Sequence, residues 1–480
     1  MTPNRILITG GTVLVGPPRT GTFRRTCLLI ENDTIVAIGD DLPSDDAQVV
    51  DAEGTFVLPG FVDAHAHLWE ATMRGISSDW NLIDFAWSIR YHHSAVHAPA
   101  DLYAGVYAGA QATLDGGTTT VLDHAHATLS PQHADAMLQG VKDSGLRAIW
   151  AYGLTDVPTQ TPVFSSPKQR HDDLRRIRAA HTDGLVSIGV AVNDLLTVPW
   201  QVTVEEYALA HELNMPLTAH LNTAPGPQRV PEAVLLHHDG LLGTGQVYSH
   251  GNASSDDELA LLAAAGAALA STPESEAQMG IGYPALARAR AASVTVGLGS
   301  DLQANNSPDA FTQMRLARQL ENARANQPLL DKAGLAGLAG QDKLSVTARE
   351  AFCLATQGGA EALGLAHLIG SLEPGKAADV VLVRNTSPRQ RPIIDPFATV
   401  VEHSSVGDVD RVIVAGRTVK SDGRLLEDRA DRAVELVESA WAGLSARMAE
   451  RGGFNPPRPD GLLEAVATSM AANLPERFTA

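Results

Sequence analysis

From about Pro59 onward the chain alternates short apolar runs with Ala- and Leu-rich stretches of helical period. "ADLYAGVYAGAQATLDGG" predicts a helix and "TTTVLDH" a strand. The same pairing recurs in "SPQHADAMLQGVKDSG" with "LRAIWAYG", "DDLRRIRAAHTDG" with "LVSIGVAV", and "TVEEYALAHELN" with "MPLTAH". It continues in "SSDDELALLAAAG" with "AALAST" and "YPALARARAA" with "SVTVGLGSD". Ser255 and Glu258 predict a capping box at the start of one of these helices. Repeated strand–helix units over roughly 300 residues point to a closed (β/α)8 barrel. An open doubly wound sheet fits less well, because no phosphate-binding glycine fingerprint follows the first strand.

The two flanks read differently. "RILITGGTVLV", "RTCLLIENDTIVAIG" and "QVVDAEGTFVLPG" are apolar runs broken by Gly, Asn and Asp, with "ENDT" a tight turn. Strands return late, in "ADVVLVRN" and "VDRVIVAGRTVKSDGRLL". Strand-rich segments at both ends predict one small β-sandwich built from both termini. The expected division is 1–57 for the first part of the sandwich and 58–366 for the barrel. The second part of the sandwich then spans 367–428, and a helical tail 429–480, opened by the amphipathic "RADRAVELVESAWAGLSARMAERGG".

Composition narrows the function classes. The chain has 480 residues, 44% hydrophobic and 19% charged, as in an ordinary soluble globular protein. A formal net charge of −19 repels phosphate backbones, so no nucleic-acid partner is expected. The N-terminus carries no signal-peptide pattern, and no uncharged apolar run is long enough to span a membrane. Two cysteines, Cys27 and Cys353, suggest free thiols in a reducing compartment, read as cytoplasmic.

In such barrels, chemistry collects at the C-terminal ends of the strands. The first apolar run ends on His65 and His67, the second on Asp123, His124 and His126. Others end on His220, His250 and Asp301. One strand-end histidine is weak grounds for a site. Several imidazoles and a carboxylate at one level are costly to bury unless they coordinate something. They form a donor set suited to Zn²⁺ or a similar first-row ion. Residues i and i+2 on a strand share a face, so His65 with His67, or His124 with His126, can grip one ion. The two pairs compete for that role.

Taken together, "LPGFVDAHAHL", "TAHLN", "YSHGN", "GLGSD", "GSLEPGKAADVVLV" and "VDRVIVAGRTV" resemble the amidohydrolase superfamily. The resemblance is strongest to its cytosine deaminase and atrazine chlorohydrolase-like branch. It implies one divalent ion per chain, Zn²⁺ first and Fe²⁺ as the alternative, held by His65, His67, His220 and Asp301. It implies that Asp301 takes a proton from the water and that His250 contacts water or substrate. The reaction implied is attack of a metal-bound hydroxide on an amide, an amidine or an amino group of a small, cyclic substrate. It also implies a homo-oligomer. Two-metal members of the superfamily use a carboxylated lysine on the fourth strand. "LVSIGVAVND" has none, so a mononuclear site is expected.

The chain departs from that branch at one position. Where its deaminases place a glutamate three residues after the fifth-strand histidine, Thr223 stands. Glu274, and after it Glu276, are candidates to replace the missing acid. "TPESE" is equally an ordinary helix start, with Thr272 as N-cap and Pro273 at the first position. Of Trp69, Trp80, Phe85 and Trp87, Trp69 is the expected pocket-lining residue, being two positions from His67. His126 and Thr223 are the other expected substrate contacts. The alternatives are a heterocycle deaminase with a relocated proton shuttle, a chlorohydrolase-like dehalogenase, and a non-catalytic scaffold of the same fold.

Overall fold

The structure, a computed structural model, describes residues 4–157, 159–181, 184–223, 230–339 and 344–478. Eight parallel strands run in chain order around a barrel. They are β1 (Phe61–His67), β2 (Thr118–Ala125), β3 (Arg147–Gly153) and β4 (Val186–Ala191). β5 (Leu217–Leu221), β6 (Gln246–His250), β7 (Ala268–Ser271) and β8 (Thr295–Leu298) complete it. The last strand resumes as the two-residue β9 (Asp301–Leu302), which pairs with Ala66 and His67 and closes the circle. Parallel strands covered by helices are buried on both faces, so they read as nearly unbroken apolar runs. All seven residues of β1 and all eight of β2 are buried.

The junction of β8 with β1 is built for close approach. A Cβ at Gly299 would sit 2.6 Å from the His65 carbonyl oxygen, so only glycine fits there. Beside it, the Ser300 N–H donates to Asp63 Oδ1 at 3.1 Å and its hydroxyl to Oδ2 at 2.6 Å. The His65 N–H donates to the same carboxylate, also at 3.1 Å. Asp63 therefore staples the two strands that carry His65 and Asp301.

The termini meet in two further sheets. One has four strands, in the order Thr34–Gly39, Cys27–Glu31, Arg5–Thr9, Gln48–Asp51. The other has seven, and within it Val380–Arg384 pairs antiparallel with Thr55–Pro59. Ile6, Ile8, Leu28, Ile30, Val380, Leu382 and Ile413 fill the space between the sheets. The expected joining of both ends is thus present. Arg147 at the start of β3 makes a bidentate pair with Asp379, at 2.9 and 3.0 Å, which ties the barrel floor to the sandwich.

The helix Ser255 caps does begin with the expected box: Glu258 N donates to Ser255 Oγ at 3.3 Å and Ser255 N to Glu258 Oε2 at 3.0 Å. The tail forms two helices. Arg429–Glu450 packs Ala433 against Tyr107 and Ala108 of the helix Pro99–Asp115. Leu462–Asn473 follows, tethered through the segment before it and at its last residue. The Trp87 indole N–H donates to the Pro457 carbonyl at 3.2 Å, and Asn473 Nδ2 to the Leu196 carbonyl at 2.9 Å. None of the described helices is long and apolar enough to cross a membrane.

Replacing Gly299 with Ala forces β8 and β1 apart. The expected cost is about 2 kcal/mol, typical of overpacking a closed interior. Denaturant unfolding of the two proteins measures it, and an unchanged midpoint would show that the strands relax freely.

Candidate functional site

The barrel's C-terminal mouth gathers the residues named from the strand ends. His65 and His67 lie on β1, His124 on β2 with His126 just beyond it, His220 on β5, His250 on β6, and Asp301 opens β9. Asp301 Oδ1 is 3.3 Å from Nε2 of both His65 and His67. Ring centroids of His65 lie 5.2 Å from His220 and 5.5 Å from His250. One donor atom each from His65, His67 and His220 falls within 4.8 Å of the others, as does one each from His65, His250 and Asp301. The second H-x-H pair also reaches this cluster. His126 stacks on His67 at 4.1 Å and His124 on His220 at 4.7 Å. His124, His126 and His220 form a third such group within 4.8 Å.

Neighbouring groups decide which ring nitrogen faces the centre. His67 Nδ1 is bound to the His124 carbonyl at 2.8 Å. His220 Nδ1 lies 2.7 Å from Asp194 Oδ1, and Asp194 is paired in turn with Arg90. His250 Nδ1 lies 3.0 Å from Thr272 Oγ1 and 3.7 Å from Glu276 Oε1. Each of these three rings therefore keeps Nε2 for the centre. Carboxylate or carbonyl partners of this kind fix ring orientation at metal sites. Asp301 is held by the Ser275 hydroxyl, which donates to Oδ2 at 2.5 Å.

The electrostatics follow from burial and proximity. Burial opposes charge on Asp301, and His250, His65 and His67 outweigh it, holding the carboxyl well below its usual range. Asp194 behaves likewise, with Arg90 and His220 as the opposing charges. Burial opposes protonation of His250, but Asp301 and Glu276 outweigh burial and raise its pKa. At His65 burial wins over the opposing pull of Asp301 and drives the pKa well below the ordinary value, and burial does the same at His124 and His126.

Several polar atoms here are buried with no hydrogen-bond partner among the described residues. Both ring nitrogens of His65, His124 and His126 and Oδ1 of Asp301 are in this state. Buried polar atoms are normally satisfied, so such a concentration calls for a ligand. Imidazole nitrogens with one carboxylate suit a first-row divalent ion.

A cavity of about 710 Å³ opens onto this centre. His67, His126, His220, Thr223, His250 and Asp301 line it, which places His126 and Thr223 on the cavity wall. Trp69 is not among the lining residues. It is wholly buried, with its ring 5.2 Å from His97, and it packs behind the wall. Phe85 and Trp87 line the cavity instead. Sequence spacing placed Trp69 near His67 but could not show that the chain turns away immediately after it, into the short helix Leu68–Met73.

Glu274 also lies apart from the centre. Its carboxylate accepts from Gln313 Nε2 at 2.9 Å. Glu276, two residues on, is fully buried and accepts from the Thr272 N–H at 2.8 Å. Pro273–Gln278 is helical, so residues two apart point to opposing sides, and only one of the two acids can face His250. Thr272 does start this helix, but its hydroxyl turns to His250 and makes no cap bond. Asp194 and Arg90 were not singled out from sequence. Asp194 does follow the apolar run "LVSIGVAV" in the way the other strand-end residues follow theirs. Arg90 sits in the π-helical turn Ala86–His93 and left no such signal.

Among known proteins, 5-methylthioadenosine/S-adenosylhomocysteine deaminase of Thermococcus kodakarensis is 28% identical over 420 residues, 86% of this chain and 93% of the relative. The 5′-deoxyadenosine deaminase of Methanothermobacter thermautotrophicus is 28% identical over 458 residues, 92% of this chain and 99% of the relative. The crystal structure of an adenosine deaminase from Xanthomonas campestris with bound zinc aligns with a TM-score of 0.79 at 24% identity, covering 92% of this chain and 98% of that one. The zinc complex of atrazine chlorohydrolase from Arthrobacter aurescens TC1 gives 0.74 at 21% identity, covering 91% and 100%. These two structures share the fold. The amidohydrolase family model matches residues 56–419. The chain belongs to the amidohydrolase family, and its reaction is metal-dependent hydrolysis of a carbon–nitrogen bond other than a peptide bond.

Proposed function

We propose that this chain is an aminohydrolase. It removes the exocyclic amino group of a purine-nucleoside-like heterocycle as ammonia, using one Zn²⁺ held by His65, His67, His220 and Asp301. The convergence at Asp301 carries the reading: one carboxylate oxygen stands 3.3 Å from two imidazole nitrogens, with no hydrogen-bond partner of its own. Among the described residues, Asp301 lies against His65 and His67 of the first pair. The two deaminase relatives support an amino group as the one that leaves.

When bound, the ion supplies Lewis-acid activation of water near neutral pH. The residues do the rest. Asp301 accepts a proton from the water that adds to the amino-bearing carbon. His250 holds a proton on Nε2, aimed at the departing nitrogen. A C–O bond forms, the C–N bond breaks, and the nitrogen leaves as ammonia carrying one proton from the water. The base keeps the other as its lactam. Glu276 is a positioning residue, which orients His250 from the Nδ1 side and favours its charged form. It stands in for the acid missing at Thr223, but from the loop after β7. Thr223 and His126 offer a hydroxyl and an imidazole to the substrate ring from the cavity wall.

Zinc-loaded protein is expected to release ammonia from adenosine or 5′-deoxyadenosine. His65→Ala should retain less metal, by elemental analysis, and lose that activity. No ammonia from any nucleoside or free aminopurine, with the metal in place, would overturn the reading.

Glu276→Gln should lower kcat by about 10²-fold, the scale of general acid–base assistance, with KM little changed. Removing the carboxylate lowers the His250 pKa. Since His250 acts as the acid, the basic limb of the kcat profile should move to lower pH. Glu274→Gln should move neither. An unshifted limb in Glu276→Gln would separate Glu276 from His250.

A further inference from the structure

At about 710 Å³ the cavity is larger than a purine-sized ring needs, and much of its lining is apolar. Leu82, Ile83, Phe85 and Trp87 form one side. Leu463, Val466 and Met470 of the helix Leu462–Asn473 line it as well. These three are spaced i, i+3 and i+7, so they make one stripe of that helix. No residue of the helix is buried, and Leu463 and Val466 are 53% and 45% exposed. The helix is nonetheless tethered, by the Trp87–Pro457 bond in the segment that precedes it and the Asn473–Leu196 bond at its last residue. A tethered helix that turns wet apolar side chains into a catalytic cavity gains stability when something apolar covers them.

We propose that the substrate carries an extended apolar arm that docks on the Leu463–Val466–Met470 stripe, making this helix a specificity element. This rests on the aminohydrolase reading for the identity of the reacting end only. The arm displaces water from the stripe and from Phe85 and Trp87. The gain comes in binding, so it enters through KM.

The test compares adenosine, 5′-deoxy-5′-(hexylthio)adenosine and the same nucleoside with a 5-carboxypentylthio arm, on zinc-loaded full-length protein. Binding is read by calorimetry and turnover by ammonia release. The hexylthio compound should bind at least tenfold more tightly than adenosine, since its methylenes leave water for the apolar stripe. Leu463→Asn and Val466→Asn, at exposed positions, should each cut that preference severalfold while thermal melts stay within a degree or two. Equal binding of hexylthio compound and adenosine would overturn the proposal. So would tighter binding of the carboxylated arm than of the alkyl arm, which would point to Arg451, another lining residue, as the anchor. A change of oligomeric state in the two variants with arm preference intact would also overturn it, assigning the stripe to a second copy of the chain. If the alkyl arm binds better but no compound releases ammonia, the arm site stands and the aminohydrolase reading falls.

Discussion

Everything at the mouth of this barrel depends on one electrostatic problem. A carboxylate and several imidazoles are buried together with too few hydrogen bonds among them. Asp301 is 1% exposed and His65 is not exposed at all, yet Asp301 Oδ1 and both nitrogens of His65 have no hydrogen-bond partner. Left alone, each such atom costs about 1–3 kcal/mol. A divalent cation solves the problem for the whole group at once, and no single side chain could. The site is therefore a hole in the protein's own polar accounting, shaped to be closed from outside.

The surrounding structure is best understood as what keeps that arrangement from collapsing inward. Asp63 joins β1 to the last strand through Ser300, Asp194 holds His220 by Nδ1, and Ser275 holds the outer oxygen of Asp301. Without these bonds the rings would turn to satisfy one another. Backbone strain points the same way. His250 and Asp301 both adopt positive φ, 74° and 62°, which residues with a Cβ rarely do. Such strain persists only where neighbouring contacts over-determine the conformation, and here it re-aims two functional side chains at the end of their strands.

How much of this was legible in the sequence follows from the range of each interaction. Strand ends can be read from local pattern, so His65, His67, His220, His250 and Asp301 were all visible as candidates, and the barrel with them. The sandwich from both termini was legible for the same reason. What could not be read were choices made between segments. Nothing local distinguishes Glu274 from Glu276; the difference is which helix side faces His250 and which faces Gln313. Trp69 lies nearer His67 in sequence than Phe85 or Trp87 do, but the turn at Leu68–Met73 buries it and leaves the later aromatics on the cavity. Arg90 reaches Asp194 from 104 positions away, a separation no periodicity reports.

On the proposed reading, the relation between Thr223 and Glu276 is one by which a barrel changes its proton chemistry without disturbing its metal centre. The ligands sit on strands, whose positions are fixed by register with two neighbours each. Glu276, the proposed auxiliary acid, sits on the short helix Pro273–Gln278 that follows β7, outside the strand ladder. An acid on the helix after β7, in place of one at Thr223, leaves every strand pair intact, because neither position belongs to the ladder. The new position has a consequence of its own. An acid beside the substrate could meet the ring directly, whereas Glu276 is fully buried behind His250 and can act only through it. In the proposed mechanism, proton delivery then converges on His250, and the wall at Thr223 is left for recognition. A wide cavity with one proton-delivering group demands that the substrate be positioned by its body more than by its reacting end. An apolar stripe on a tethered helix is suited to supply that positioning.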